Sequence, residues 1–247
     1  MPHATTAAIL GLAMTLLGSA RAAELVVLAG GSMTASLKDL GPRFERASGH
    51  TLVFRFAGTP ELIKMATSGA AFDLGVVPVD VMNDAAARAK FGPTHDVARV
   101  GFGVAVRAGA GRPDVSTPAA FKATLLAAQS ITLYPESAAG AYVMKVFERL
   151  GIADAMKAKL KPQAAPGDIP KAVASGEAEL GVFLTNVLAA PGVELAGPFP
   201  AELQNDLVFV GAVAAEGKNT EAARAFLDFL STPEAAAVLM AQGMTPG

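Results

Sequence analysis

The stretch Leu25-Val26-Val27-Leu28-Ala29-Gly30-Gly31-Ser32-Met33-Thr34-Ala35-Ser36-Leu37 constrains the fold more than any other part of the chain. An apolar, β-branched run halts at two glycines, and then Met33, Leu37, Leu40 and Phe44 recur at helical spacing, which predicts strand, tight turn, helix. Ser32 falls at the expected N-cap. A helix start carries unpaired backbone N–H groups and the positive end of the helix dipole, and two residues without side chains let an anion come close. This turn is therefore expected to hold half of an anion site.

The same phrase recurs. Thr51 to Phe56 alternates as a second strand after Gly49, a C-cap for the first helix, within which Pro42 should force a kink or a restart. Ala57-Gly58-Thr59-Pro60-Glu61-Leu62 marks a helix start, with Thr59 as cap and Pro60 in the first turn. Ala71 to Val77 reads as a third strand, so successive strand-turn-helix units imply right-handed crossovers and a parallel sheet. Val100 to Val106 reads as a fourth strand, and Gly109-Ala110-Gly111-Arg112-Pro113 is a break in composition. Beyond it the pattern restarts with a helix from Thr117-Pro118, a strand Ser130 to Tyr134, a turn Pro135 to Gly140 and a helix to Leu150. A short helix opens near Asp168, Leu180 to Leu184 is a buried strand, Asp206 to Ala214 is a last long strand, and two helices begin near Thr220 and at Thr232-Pro233.

Counting residues excludes most enzyme classes. The 247-residue chain has no cysteine, so it has neither disulfides nor thiolate chemistry, and its net charge of −2 gives no basic stripe for nucleic acid. His50 and His95 stand singly, away from any ligand spacing, and the carboxylates form no pair or metal cluster. Neither a metal nor a cofactor is expected. Gly30-Gly31-Ser32-Met33-Thr34 approaches the G-x-S-x-G nucleophile elbow but ends in threonine, and only His50 and His95 follow it, so a serine hydrolase using Ser32 is the minor alternative. Ala7 to Leu17 is an apolar run of signal-peptide length ahead of Ala20-Arg21-Ala22, which predicts cleavage and a periplasmic destination.

What remains are small hydroxyl and backbone donors at helix starts: Ser32, Thr59, the Ser137 to Gly140 turn, and Asp168-Ile169. Each alone is simply a cap, but two pairs on two lobes would face each other where ligands of open α/β sheets bind. Each charge-assisted bond contributes roughly 1.5–3 kcal/mol, enough in sum for tight binding without a countercharge. Neutral donors also favour a fully deprotonated ligand.

From Leu25 to Met244 the sequence resembles the periplasmic molybdate-binding proteins, a branch of the type II solute-binding proteins of ABC importers. Gly30-Gly31-Ser32-Met33-Thr34-Ala35-Ser36-Leu37 matches that family's opening motif, and Phe56-Ala57-Gly58-Thr59-Pro60-Glu61-Leu62 matches its second loop. The resemblance implies hydroxyl ligands at Ser32 and Thr59 beside Gly31 and Gly58. It further implies a backbone N–H ligand at Ala139, within Pro135-Glu136-Ser137-Ala138-Ala139-Gly140-Ala141-Tyr142, and another at the Asp168-Ile169 step. Where the family places a tyrosine at the end of Gly-x-x-Tyr, this chain has Leu184, and Gly58 and Pro60 stand where it has serines. Thr185, Asn186 or Tyr134 would have to supply the missing donor.

The expectation is thus a two-lobe α/β type II periplasmic binding protein, each lobe a mainly parallel sheet flanked by helices. Residues 1–22 form the signal peptide, 23–105 and 204–247 the first lobe, and 106–203 the second. The strands near Val100–Val106 and Asp206–Ala214 would form the hinge. The expected function is capture of an oxyanion such as molybdate or tungstate in the interlobe cleft by a monomer. Delivery is to an inner-membrane ABC permease, with no bond broken. The same fold binding a small organic carboxylate, as carrier or sensor, is the alternative.

Overall fold

The computed structural model describes residues 22–247. The expected leader's apolar run and most of its cleavage signal lie outside them. In chain order the elements are β1 (Glu24–Gly30), α1 (Thr34–Ser48), β2 (Thr51–Ala57), α2 (Thr59–Thr67), β3 (Leu74–Pro78), α3 (Ala85–Arg88) and β4 (His95–Val100). The chain continues with β5 (Phe102–Arg107), α4 (Pro118–Ala127), β6 (Ile131–Leu133), α5 (Ala138–Arg149), α6 (Ala153–Lys159), β7 (Leu160–Pro162) and α7 (Asp168–Ser175). It closes with β8 (Leu180–Leu184), α8 (Thr185–Leu188), β9 (Val193–Pro198), β10 (Leu207–Val213), α9 (Thr220–Leu230), α10 (Pro233–Ala241) and β11 (Thr245–Pro246).

These strands form two sheets, ordered β11-β4-β10-β3-β1-β2 and β7-β6-β8-β5-β9, each with its own helices. The two-lobe α/β architecture is as expected, but each sheet is mixed: β1 pairs parallel with β2 and β3, while β10 runs antiparallel to β3 and β4. In the second sheet β6 pairs parallel with β7 and β8, and β5 runs antiparallel to β8 and β9. The short strands β7 and β9 and the helix α6 carry no clear sequence signal.

The apolar run Val100 to Val106 is two strands, not one. The chain leaves the first sheet after β4, turns at Gly101 and enters the second as β5, ahead of the division expected after residue 105. It returns between β9 and β10, where Gln204 brackets the first passage: Gln204 Oε1 accepts from Phe102 N at 2.7 Å, and Gln204 Nε2 donates to Phe102 O at 2.9 Å. Phe102 packs on Phe199 and Tyr142 there, with ring centroids 5.6 and 4.9 Å apart. Both passages are therefore held side by side.

Helix α1 runs unbroken through Pro42. Leu37, Leu40, Gly41 and Phe44 hold it on the core, and Gly41 packs so closely that a Cβ there would lie 2.9 Å from the Phe54 ring. Pro42 and Lys38 are exposed, so the Lys38 carbonyl that loses its N–H partner meets solvent. Gly49 closes the helix at φ 75°, as the sequence predicts. On the same face α9 returns to the first lobe, Phe226 meeting Phe44 at 5.0 Å.

Replacing Gln204 by Leu removes both bonds to Phe102 without removing bulk. A loss of about 1–3 kcal/mol is expected, read from the urea midpoint.

Candidate functional site

Parallel pairing of β1 and β2 in the register Gly30↔Ala57 ends both strands at one edge, so the starts of their following helices are neighbours. Gly31-Ser32-Met33 forms a 3-10 turn ahead of α1, and Gly58-Thr59 opens α2. From the other lobe β6 delivers Tyr134 and the start of α5 to the same place. Together these segments line a cavity of about 20 Å³, with Gly31, Ser32, Gly58 and Thr59 on one side and Tyr134, Ser137, Ala138 and Ala139 on the other. Pro166 and Phe209 close it, and no charged side chain lines it.

The donors differ in detail from the sequence expectation. Ser32 is not a cap: α1 starts at Thr34 without a side-chain cap, and Ser32 Oγ makes no hydrogen bond among the described residues. Its carbonyl instead accepts from Asn186 Nδ2 of the second lobe at 2.8 Å. Thr59 is the first residue of α2, where it cannot cap its own helix, and Thr59 Oγ1 accepts from Ala138 N across the cleft at 3.2 Å. That leaves its hydrogen available to an acceptor. Ser137 is a true cap, accepting from Gly140 N at 3.0 Å and donating to Tyr134 O at 2.9 Å. The next N–H, of Ala139, has no partner among the described residues.

Of the expected site residues, Gly31, Ser32, Gly58, Thr59 and Ala139 are brought together, whereas Asp168, Ile169 and Leu184 are not part of the cavity wall. Asp168 N donates to Ala165 O and Ile169 N to Pro166 O, both at 3.2 Å, so a tight turn consumes the N–H groups expected to be free. The Asp168 carboxylate pairs with Lys171 at 2.9 Å. Pro166 is the residue of that segment that reaches the cavity, and the missing side chain of Gly31 admits it: a Cβ there would lie 3.2 Å from Pro166 Cγ. Leu184 is wholly buried in β8.

Pro78, Leu207 and Phe209 line the cavity without standing out in the sequence as its walls, and Ser137 and Ala138 of the expected turn line it together with Tyr134, one of the three candidates for the missing donor. Tyr134 is the one titratable side chain among the lining residues. Burial pushes its phenol up from the ordinary value, and the exposed carboxylates of Glu136 and Glu61 push the same way. The wall therefore presents neutral donors at ordinary pH.

Ser32 has no base. His50 Nδ1 accepts from Ala23 N at 3.1 Å beside Phe44, and His95 lies exposed at the start of β4. Neither His50 nor His95 is bonded to Ser32 Oγ, so neither serves as the base that the hydrolase alternative requires.

Two lobes closing on a neutral-donor cavity define the class of the solute-binding proteins. Residues 25–245 match the family described as bacterial extracellular solute-binding protein, and the chain belongs to it. The resemblance to the molybdate-binding branch also holds. The molybdate-binding protein ModA of Escherichia coli K12 is 28% identical over 247 residues, covering 95% of this chain and 94% of that protein. A protein named aconitate isomerase, from a Pseudomonas species, is 30% identical over 265 residues, covering 100% of this chain and 97% of the relative. Among solved structures, the periplasmic molybdate-binding protein of Azotobacter vinelandii superposes with a TM-score of 0.76 at 18% identity, covering 90% of this chain and 99% of that one.

In an alkaline titration followed by phenolate absorbance, the component lost in Tyr134→Phe should ionise above the ordinary tyrosine value of 10.0. Gly140→Ala should lose more than about 3 kcal/mol in a denaturant melt, because a Cβ at 140 would lie 1.8 Å from Tyr134 O.

Proposed function

We propose that the protein is the periplasmic solute-binding component of an ABC importer and captures a small, fully deprotonated anion with uncharged donors. The observation that supports this is that Ser32, Thr59 and Ala139, from two lobes, line one cavity without a charged wall, the Ser32 hydroxyl and the Ala139 N–H having no partner among the described residues. A tetrahedral oxyanion such as molybdate or tungstate suits such a wall, since it offers an acceptor at every corner and has no proton to misplace. The α2 and α5 starts add favourable dipole, roughly 0.3–1 kcal/mol each. The lobes would move about the two passages at Gly101 and Gln204, and the closed monomer would dock on a permease in the inner membrane.

A cavity of about 20 Å³ holds little more than a water-sized group, so the lobes must part slightly for an oxyanion. The bond between Ala138 N and Thr59 Oγ1 is then exchanged for bonds to the ligand.

Two observations favour a small carboxylate as a second reading: the relative named aconitate isomerase spans the whole chain, and no phenol stands at Leu184. Melting temperatures with molybdate, tungstate, sulfate, phosphate and aconitate separate these. On the oxyanion reading, molybdate or tungstate at 100 times its dissociation constant adds about 2.7 kcal/mol, and Ser32→Ala removes the shift. Stabilisation by aconitate alone assigns the carboxylate, and following its cis and trans isomers by absorbance then decides between carrier and isomerase. If no anion raises the melting temperature, the anion-cavity reading fails.

A further inference from the structure

We propose that Gly58 and Tyr134 form a specificity pair, in which the Tyr134 hydroxyl is a ligand donor supplied by the second lobe and Gly58 is the residue that admits it. This rests on the reading of the cavity as an anion site.

Tyr134 is 9% exposed and forms part of the cavity wall just after β6. Its hydroxyl makes no hydrogen bond to the protein among the described residues, whereas the hydroxyl of Tyr142 donates to Leu203 O at 2.8 Å. A phenol without a partner beside Ser32, Thr59 and Ala139 is placed as one further donor of the same neutral kind. The space it occupies is taken from position 58. A Cβ built there would lie 2.4 Å from the phenol oxygen and 2.9 and 3.0 Å from ring carbons, so a side chain at 58 and this placement of Tyr134 exclude each other.

The two departures noted in the sequence, no phenol at Leu184 and no hydroxyl at Gly58, are thereby linked. Leu184 ends β8, the sheet neighbour of β6, so the phenol comes from the adjacent strand rather than from the expected one. Lengthening the donor from the second lobe requires shortening the first-lobe residue opposite it. Ligand selection follows from this exchange: a rigid phenol replaces a short hydroxyl and fixes one acceptor of the anion toward the second lobe. Tyr134→Phe deletes that donor alone. Gly58→Ser introduces a collision, while Gly58→Ser combined with Tyr134→Ala returns a short hydroxyl to the first lobe.

The test is calorimetry with sodium molybdate and, in parallel, sodium trans-aconitate, on the wild type, Ser32→Ala, Tyr134→Phe, Gly58→Ser, Tyr134→Ala and the double variant. Loss of one charge-assisted bond should weaken binding by Tyr134→Phe at least about tenfold, with an unchanged melting temperature in the absence of ligand. Gly58→Ser should weaken binding in the wild type yet strengthen it in Tyr134→Ala, a reversal of sign that independent residues do not show. The chain has two tyrosines and no tryptophan, so ligand-induced tyrosine difference absorption gives a second readout. It should persist in Tyr142→Phe and vanish in Tyr134→Phe. If Ser32→Ala abolishes binding while Tyr134→Phe binds like the wild type, the pair is overturned and the cavity reading stands. If the wild type binds neither of these nor tungstate, sulfate or phosphate, both fall.

Discussion

Parallel pairing of β1 with β2 is the constraint on which the site depends. Residue-for-residue register from Glu24↔Thr51 to Gly30↔Ala57 leaves no freedom in where the two strands end, and so none in where Ser32 and Thr59 stand relative to each other. Parallel strands require a crossover, and the crossover helix α1 is anchored by Met33, Leu37, Leu40 and Phe44, all within the core. The donors are thus positioned by backbone pairing and apolar packing. They need no salt bridge to orient them, and none lines the cavity.

That arrangement handles charge in a particular way. A cationic side chain in the wall would attract any anion, protonated or not, and would be costly to bury when the cleft is empty of a partner charge. Hydroxyls and N–H groups at helix starts carry no such cost, because their dipoles are fixed by the fold before the ligand arrives. Burial raises the Tyr134 phenol above its ordinary value, and the carboxylates of Glu136 and Glu61, exposed outside the cavity wall, push the same way.

Much of this was legible in the sequence, and the failures have identifiable causes. The β1 turn, the α2 start and the Ser137 to Gly140 turn were marked by glycine, proline and small polar residues, which report local backbone geometry. The roles of individual atoms were not. Thr59 has the composition of a cap, but the helix begins one residue earlier than its hydroxyl needs, and the oxygen turns to Ala138 instead. At Asp168 and Ile169 the motif is present while the turn from Ala165 uses its N–H groups, a choice made by the preceding residues. The passage between sheets at Gly101 interrupts an apolar run whose residues are buried in either sheet, so no change of polarity marks it. Tyr134 stands in the sequence beside Thr185 and Asn186 as a candidate for the missing donor, and what singles it out is visible only in space, in the room left at Gly58.

The two lobes also touch through atoms of the protein itself, Ala138 N on Thr59 Oγ1 and Asn186 Nδ2 on Ser32 O. Asn186 Oδ1 is buried without a partner, so this contact is held by one atom of the amide and not by both. Such contacts have a kinetic meaning. A molecule whose jaws rest partly shut admits solute only at the pace at which they part, and its capture rate levels off at high solute concentration instead of rising in proportion to it. At low concentration the rate still falls in proportion to the solute, and at high concentration it is set by the parting of the lobes alone.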